Sequence, residues 1–209
     1  MSALWDGPAG AEVLVVLAPG AGAGIHTDFM RHFAERLAAH GAAVCRFNFL
    51  YSERGRKTPD RQPVLETTYG EVVEAALDLH GPGRLVLGGK SMGGRIASHI
   101  VAGGVDADGL AFLGYPLHPP GRPERLRDAH LRAISASMLF VEGTRDPFCP
   151  LDSLDRVRAG LKAPTEVFVV EGGDHSLKVR NSSGRTTKKA WDEAASALAE
   201  WIDRLPGRR

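Results

Sequence analysis

The stretch that most constrains this chain is RLVLGGKSMGGRIA, residues 84–97. Residues 85–87 form a short apolar run typical of a buried strand, and a helix-like pattern follows the glycines. Between them, residues 89–93 (GKSMG) match G-x-S-x-G, a sharp strand-to-helix turn that presents its serine, here Ser91. Such a turn needs strained backbone dihedrals, and the glycines two positions before and after the serine must lack side chains so that helix and strand do not collide.

Two other interpretations fit parts of this turn. The letters GKS also end a phosphate-binding P-loop, but its first glycine would have to stand at position 84, where the chain has Arg84. The P-loop is therefore excluded. A plain strand-to-helix turn with an incidental serine remains open at this point.

The apolar pattern predicts strands that alternate with helices. The expected strands cover residues 12–17, 43–49, 85–87, 109–113, 137–141 and 165–170, and the expected helices cover 28–40, 63–79, 92–102 and 151–161. A last helix follows a polar loop and has an apolar face that runs from residue 191 to residue 205. The first strand is continuously apolar, which is typical of a strand buried on both faces of a parallel sheet. We therefore predict a three-layer α/β fold, with a mainly parallel sheet of about six strands and helices on both faces.

Length, charge and cysteine content limit the functional classes. The 209 residues, 43% of them hydrophobic, fit a single domain spanning residues 1–209 with a core at about 12–205. The net charge of +1 predicts neither nucleic-acid nor membrane binding. Two cysteines and the scattered histidines show no metal-ligand spacing, so no metal is expected. Residues 1–10 lack the features of a signal peptide, and we expect a cytoplasmic protein. The oligomeric state is not predicted.

A glycine-rich loop, residues 19–24, follows the first strand. Its spacing is G-x-G-x-G instead of G-x-G-x-x-G, and the next strand ends in residues 46–49 (RFNF), without an acid for a ribose. A dinucleotide site is therefore disfavoured. If Ser91 is a nucleophile, the backbone N–H groups of Ala21 and Met92 are the expected donors to an oxyanion.

Ser91, Asp146 and His175 follow the third, fifth and sixth predicted strands in the order serine, acid, histidine. The carboxyl ends of parallel strands meet at one edge of a sheet, where ligand sites lie. Ser91 would attack a carbonyl, His175 would transfer the proton, and Asp146 would orient the imidazole. Each residue alone has a simpler interpretation, such as Asp146 as a turn former or His175 as a loop residue. Asp174 is an alternative acid, but it is adjacent to the histidine that it would have to orient.

Several of these motifs together resemble a known group. GGKSMGGR (88–95), EGTRDPF (142–148), GGDHSLK (172–178) and GYPLHPPGRPERLRDAHL (114–131) resemble the dienelactone-hydrolase-like, or testis-expressed-type, branch of the α/β-hydrolases. The resemblance covers about residues 13–201 and implies the α/β-hydrolase fold, a nucleophile elbow at Ser91 and the triad. Two departures stand out: Pro19-Gly20 replaces the His-Gly of many oxyanion loops, and the elbow holds serine where dienelactone hydrolases hold cysteine.

The sequence therefore predicts a serine hydrolase that needs no cofactor, an esterase or thioesterase on a small acyl substrate. Two alternatives stay open: an amidase or peptidase with the same triad, and a hydrolase-like module with little turnover that binds a partner. His118, Lys90 and Gly22 are further candidates for substrate contact. His26 and His99 are also possible pocket residues, and Cys149 is expected to serve packing.

Basic residues concentrate in three loops that follow strand ends. Residues 51–62 and 121–132 each carry a net charge of +2, and residues 176–189 carry +5, although the whole chain carries only +1. One hypothesis is a positive rim that attracts an anionic acyl substrate, such as a carboxylate, a phosphate or a CoA ester. The alternative is that these loops are simply solvated.

Overall fold

A computed structural model describes residues 2–81 and 83–206, apart from the side chain of Asn181. Its strands are β1 (Ala3–Asp6), β2 (Val13–Ala18), β3 (Ala43–Phe47), β4 (Arg84–Lys90), β5 (Gly109–Leu113), β6 (Ser137–Gly143) and β7 (Thr165–Val170). They form one sheet in the order β1-β3-β2-β4-β5-β6-β7. All neighbouring strands pair in parallel except β1, which is antiparallel to β3. The predicted mainly parallel sheet is confirmed.

The extra strand is β1, so the sheet has seven strands in the part of the chain that the structure describes, where the sequence predicted about six. Its four residues are half-exposed or exposed, and a pattern this short carries little signal. Its position is set by distant groups, since Asp6 forms an ion pair with the buried Arg46 of β3 (2.8 Å). Long-range pairing of this kind cannot be read from a local window.

Six helices of the described chain surround the sheet: α1 (Asp28–Ala39), α2 (Leu50–Glu53), α3 (Gln62–His80), α4 (Met92–Ala102), α5 (Leu151–Arg158) and α6 (Thr187–Asp203). Short 3₁₀ turns cover Ala129–Ala133 and Asn181–Ser183. Helix α2 lies in a region predicted to be a polar loop. It forms because the Tyr51 side chain is fully buried there, where its hydroxyl accepts a hydrogen bond from the N–H of Gly22 (3.1 Å).

The sheet separates two apolar cores, because alternate side chains of a strand point to opposite faces. Leu14 and Val16 of β2 pack with the apolar residues of α3, α4 and α5. Val15 and Leu17 of the same strand pack with those of α1 and α6. The predicted arrangement of helices on both faces is confirmed, and the continuously apolar β2 is buried on both sides.

The register of the sheet brings several strand ends to one edge. Strands β4, β6 and β7 end at Lys90, Gly143 and Val170, directly before the turns that carry the predicted site residues. The segment after β5, residues 114–134, folds over this edge; we call it the cap segment. Its Tyr115 hydroxyl donates a hydrogen bond to the carbonyl of Arg127 (2.8 Å), which closes the segment on itself.

Candidate active site

Ser91 lies directly after β4 and is the N-cap residue of α4. Its φ of 51° lies in the left-handed region, and its N–H donates to the carbonyl of Leu113 at the end of β5 (3.1 Å). Cβ atoms on Gly89 or Gly93 would overlap the carbonyl oxygen of Ala18 on β2. The strained turn and its flanking glycines therefore have the geometry that the sequence pattern requires.

A chain of short contacts joins Ser91 to a histidine and a carboxylate. His175 Nε2 lies 2.8 Å from Ser91 Oγ, and His175 Nδ1 lies 2.7 Å from Asp146 Oδ2. The Asp146 side chain is completely shielded from solvent, and its Oδ1 accepts a hydrogen bond from the N–H of Phe148 (2.8 Å). Both carboxylate oxygens are thus held in place, and one of them faces the imidazole.

Asp174, the alternative acid, holds the loop that carries His175. Its Oδ1 accepts hydrogen bonds from the N–H groups of Ser176 (2.8 Å) and Lys178 (3.0 Å). These bonds close the turn that follows β7. The carboxylate that contacts the imidazole is that of Asp146.

The glycine-rich loop after β2 passes beside the serine. A Cβ built on Gly20 would lie 3.7 Å from Cβ of Ser91, and both Ala21 and Met92 line the cavity at the serine. Within the described part of the chain, the N–H groups of Ala21 and Met92 donate to no protein acceptor. Two backbone donors next to a serine hydroxyl can stabilise an oxyanion, and the first N–H groups of α4 add the positive end of the helix dipole.

Ser91 and His175 open into a cavity of about 320 Å³ between the sheet edge, α3, α4 and the cap segment. The walls combine apolar and charged side chains: Ala21, Pro59, Asp60, Gln62, Leu65, Met92, Arg95, Pro116, His118, Pro120, Arg127 and Phe148. A cavity of this size next to a serine–histidine pair can hold a small acyl compound.

A model of the alpha/beta hydrolase domain family matches residues 11–203 of this sequence. The chain belongs to the alpha/beta hydrolase family. The family resemblance seen in the sequence is therefore confirmed at the level of the superfamily.

Solved structures of alpha/beta hydrolases superimpose on nearly the whole chain. An alpha-beta serine hydrolase homologue from Coxiella burnetii is 16% identical, with a TM-score of 0.76, and the match covers 96% of this chain and 90% of that one. Est1E from Butyrivibrio proteoclasticus is 15% identical with a TM-score of 0.77, covering 97% and 94%. A dienelactone hydrolase from Anabaena variabilis is 19% identical with a TM-score of 0.76, covering 99% and 92%. At these identities the likeness establishes the fold.

In this alpha/beta hydrolase domain, His118 lines the cavity as the sequence suggested. Its Nδ1 lies 2.9 Å from the carbonyl of Pro119, so in the neutral ring that nitrogen carries the proton. Nε2 is buried and has no protein partner among the described residues. Phe148 stands between the two histidines, edge-on to His175 at 4.7 Å and to His118 at 6.4 Å between ring centroids. Phe148 was not singled out in the sequence.

Lys90 and Gly22 do not line this cavity, so their positions do not support a role in contacting substrate. The Lys90 ammonium donates a hydrogen bond to the carbonyl of His175 and lies 5.6 Å from the centre of the Phe29 ring. Burial lowers the pKa of Lys90 to about 8, although nearby acids, Asp146 first among them, act in the opposite direction. Lys90 therefore stabilises the loop that carries His175 from outside the cavity.

The positive charge in the cavity comes from residues that the rim hypothesis mostly missed. Among the basic residues of the three loops, only Arg127 lines the cavity; it is joined there by Arg95 of α4. Lys178 of the most basic loop lines a different depression, beside Trp191. Arg95 could have been found in the sequence, since it lies four residues after Ser91 and so on the same face of the helix.

A second serine–histidine pair lies outside the cavity. Ser98 is fully buried in α4, donates to the carbonyl of Arg95 (2.7 Å) and lies 2.8 Å from His130 Nε2. His130 stacks on His99 at 3.7 Å, and burial lowers its pKa to about 3. No carboxylate among the described residues is bonded to His130, and neither member of the pair lines the cavity, so this pair fixes the cap segment on α4.

The remaining candidates do not join the site. His26 is exposed, and His99 is half-buried in the stack with His130; neither lines the cavity. Cys149 is buried, and burial raises the pKa of its thiol, in agreement with a packing role. Among the described residues, no group of three His, Cys, Asp or Glu side chains is arranged to hold a metal ion. None of the helices in residues 2–81 and 83–206 has the length and hydropathy needed to cross a bilayer.

Proposed function

We propose that this protein is a serine hydrolase with Ser91, His175 and Asp146 as its catalytic triad. The observation that carries the proposal is the continuous contact from Ser91 Oγ through the His175 ring to a buried carboxylate. This is the arrangement in which a weakly nucleophilic hydroxyl is activated by an adjacent base, and the base is oriented by a third group.

The reaction follows from this geometry. Ser91 Oγ attacks the carbonyl carbon of an ester or thioester while His175 Nε2 accepts the hydroxyl proton. The Asp146 carboxylate keeps the proton of the imidazole on Nδ1 and stabilises the imidazolium that forms. His175 then protonates the leaving group, and an acyl-enzyme remains on Ser91. A water molecule, deprotonated by the same histidine, releases the acid and restores the serine.

The negative charge of the tetrahedral intermediate falls on the former carbonyl oxygen. The N–H groups of Ala21 and Met92 would donate to it, aided by the dipole of α4. Because these donors belong to the backbone, the replacement of His-Gly by Pro19-Gly20 in the loop leaves them in place.

The small cavity favours a compact ester or thioester over a long peptide. In support, Est1E, one of the structural neighbours, has been solved with ferulic acid bound. The neighbours also include a protein described as an esterase domain, from Rhodothermus marinus. We therefore propose an ester or thioester of a small acid as the substrate class.

The test is labelling by a fluorophosphonate, which reacts with activated serines. We expect the wild-type protein to be labelled and Ser91→Ala to be unlabelled. His175→Ala and Asp146→Asn should lower labelling and ester turnover by roughly 10⁴-fold or more. Ser98→Ala is the matched control, because Ser98 also contacts a histidine but does not line the cavity.

Loss of labelling in Ser98→Ala, or labelling that persists in Ser91→Ala, would contradict the assignment. A folded wild-type protein that takes no label would overturn the proposal in favour of the partner-binding module. Parallel assays with an ester, a thioester and an anilide of one acid would separate an esterase from an amidase.

A further inference from the structure

Two arginines form one wall of the cavity, and neither is neutralised there by a bonded carboxylate. Arg95 Nη1 donates to Gln62 Oε1 (3.0 Å) and lies 3.2 Å from His99 Nε2, which are both neutral acceptors. The Arg127 guanidinium forms no hydrogen bond or ion pair with any residue that the structure describes. Two guanidinium groups on one wall repel each other, and an anion between them would relieve that repulsion.

The backbone around Arg127 is well anchored. Its N–H donates to the carbonyl of Leu117 (2.7 Å), and its carbonyl accepts the Tyr115 hydroxyl (2.8 Å). The side chain is partly buried, and burial together with the charge of Arg95 lowers the pKa of Arg127. The Arg127 guanidinium is half-buried, its backbone is fixed and it has no protein partner among the described residues. It is therefore preorganised to bind an anionic ligand.

The acidic groups near this wall each have one carboxylate oxygen bonded to another side chain. Asp60 also lines the cavity; its Oδ1 accepts a hydrogen bond from Arg56 (2.6 Å), and its Oδ2 is buried without a protein partner among the described residues. Glu66 acts on Arg95 at longer range, and its Oε1 accepts a hydrogen bond from Gln62 (2.7 Å). His118 in its neutral form presents only an acceptor, Nε2, and so would not bind an anion. The two arginines are therefore the cavity's anion donors.

The side of the substrate that meets this wall follows from the proposed chemistry. His175 must protonate the leaving group, so the leaving group lies toward His175 and Phe148. The acyl group then extends the other way, along α4 and α3 toward Arg95 and Gln62. We propose that Arg95 and Arg127 bind a carboxylate at the far end of the acyl group, so that the substrate is a monoester or monothioester of a short dicarboxylic acid. This inference rests on the proposed hydrolase function.

A carboxylate suits this subsite better than the phosphates of a CoA leaving group. Guanidinium groups bind carboxylates through paired, parallel hydrogen bonds. A CoA moiety would extend from the His175 side out of the cavity, away from the arginines. The rest of the rim, including the most basic loop, would then contribute only long-range attraction that salt screens.

The test compares two umbelliferyl esters with acyl chains of equal length, the monoglutarate and the valerate. We expect wild-type kcat/KM to favour the monoglutarate by about 10-fold or more at low salt, because a hydrogen bond to a charged group contributes this much. Arg127→Met should lower kcat/KM for the monoglutarate by about 10-fold more than for the valerate, and so remove the preference, whereas Arg127→Lys should keep part of it. The matched control is Arg125→Met, an exposed arginine two residues away that does not line the cavity.

Binding measured without turnover completes the test. Glutarate should raise the unfolding temperature of the Ser91→Ala variant, and adding Arg127→Met should abolish that shift. Hydrolysis of valerate without a preference for the monoglutarate would overturn the carboxylate subsite and leave the proposed hydrolase intact. An equal loss of kcat/KM for both esters in Arg127→Met would also overturn the carboxylate subsite and leave the proposed hydrolase intact. If the labelling test fails and neither ester is hydrolysed, the proposed function falls and this inference falls with it.

Discussion

At the scale of single residues, Glu142 has the most unusual environment near the site. It is fully buried at the end of β6, and its Oε1 accepts a hydrogen bond from the N–H of Tyr115 (2.6 Å). Burial, and then the negative charge of Asp146, raise the pKa of Glu142 well above its usual range, which favours the protonated, neutral acid. In that form the side chain adds no second negative charge beside the carboxylate that contacts His175.

The stability of a Glu142→Gln variant should depend on pH in a defined direction. A pKa raised by folding means that the protonated group stabilises the fold fully below the unfolded pKa of about 4.3, and that this stabilisation is lost as pH rises. Glutamine mimics the protonated acid and does not ionise. The free energy of unfolding of the variant, relative to wild type, should therefore increase by up to about 1.4 kcal/mol per pH unit above pH 5.

Urea unfolding at pH 5, 6 and 7 measures this difference. Glu74→Gln, at an exposed position on α3, is the control and should show no such trend. A constant difference for Glu142→Gln across this range would mean that Glu142 is ionised in the folded protein.

Some residues near the site could be identified from the sequence, and others could not. Ser91, Asp146 and His175 were found because each has a strong local motif and the chain order defines which strand ends meet. Phe148 and Arg127 were not identified as cavity residues, because nothing in a local window shows which side of a loop faces inward. Lys90 was a candidate for substrate contact, but its ammonium donates to the carbonyl of His175, and a local window does not show where the end of so long a side chain lies.

At the scale of elements, the turn from β4 into α4 is the tightest part of the site. A Cβ on Gly93 would overlap the carbonyl oxygens of Ala18 and Pro19, which lead into the loop with Ala21. Gly93→Ala should therefore destabilise the protein by about 2 kcal/mol or more and displace that loop, reducing fluorophosphonate labelling. Gly70→Ala is the matched control in α3, where a Cβ would meet no atom within 4 Å. It should stabilise by about 0.5–1 kcal/mol and leave labelling unchanged.

Urea unfolding and probe labelling of the two variants check this contrast. If the free energy of unfolding of Gly93→Ala equalled that of wild type, β2 and α4 would be able to move apart without loss of stability. The sequence predicts some elements better than others. The turn from β4 into α4 was predictable, because the steric requirement for its glycines belongs to the local strand–turn–helix motif. Helix α2 was not predictable in this way, because it depends on the burial of Tyr51 beneath the Gly22 loop, which is distant in sequence.

At the scale of the whole molecule, the parallel sheet was predictable because continuous apolar runs alternate with amphipathic ones. The net charge of each loop could also be counted from the sequence, but the position of those charges relative to the cavity could not be predicted. The positive charges at the cavity belong to Arg95 and Arg127, and Lys178 of the most basic loop lines a different depression. Charge counts add over a chain, whereas the field at a site depends on distances that only the fold provides.

The same sheet should make the chain a single cooperative unit, as predicted for residues 1–209. Its N-terminal and C-terminal parts are locked together by contacts of α6 with α1 and β4. Phe29 of α1 packs edge-on against Trp191 of α6 (5.2 Å between centroids), and Arg84 of β4 donates to carbonyls at the end of α6, such as that of Ile202 (3.1 Å). Neither half could unfold without exposing the core of the other, so we expect one two-state transition.

Two reporters at opposite ends of the chain can test this cooperativity. Trp5→Phe leaves Trp191 and Trp201 on α6 as fluorophores, whereas the double variant Trp191→Phe/Trp201→Phe leaves Trp5 on β1. In each variant, the urea transition seen by fluorescence should coincide with that seen by far-UV circular dichroism, with one midpoint and one slope. The double variant removes core packing, so its midpoint should be lower than that of Trp5→Phe, but its two curves should still superimpose. A fluorescence transition of Trp5 that precedes the loss of helix would show that β1 and its surroundings unfold separately.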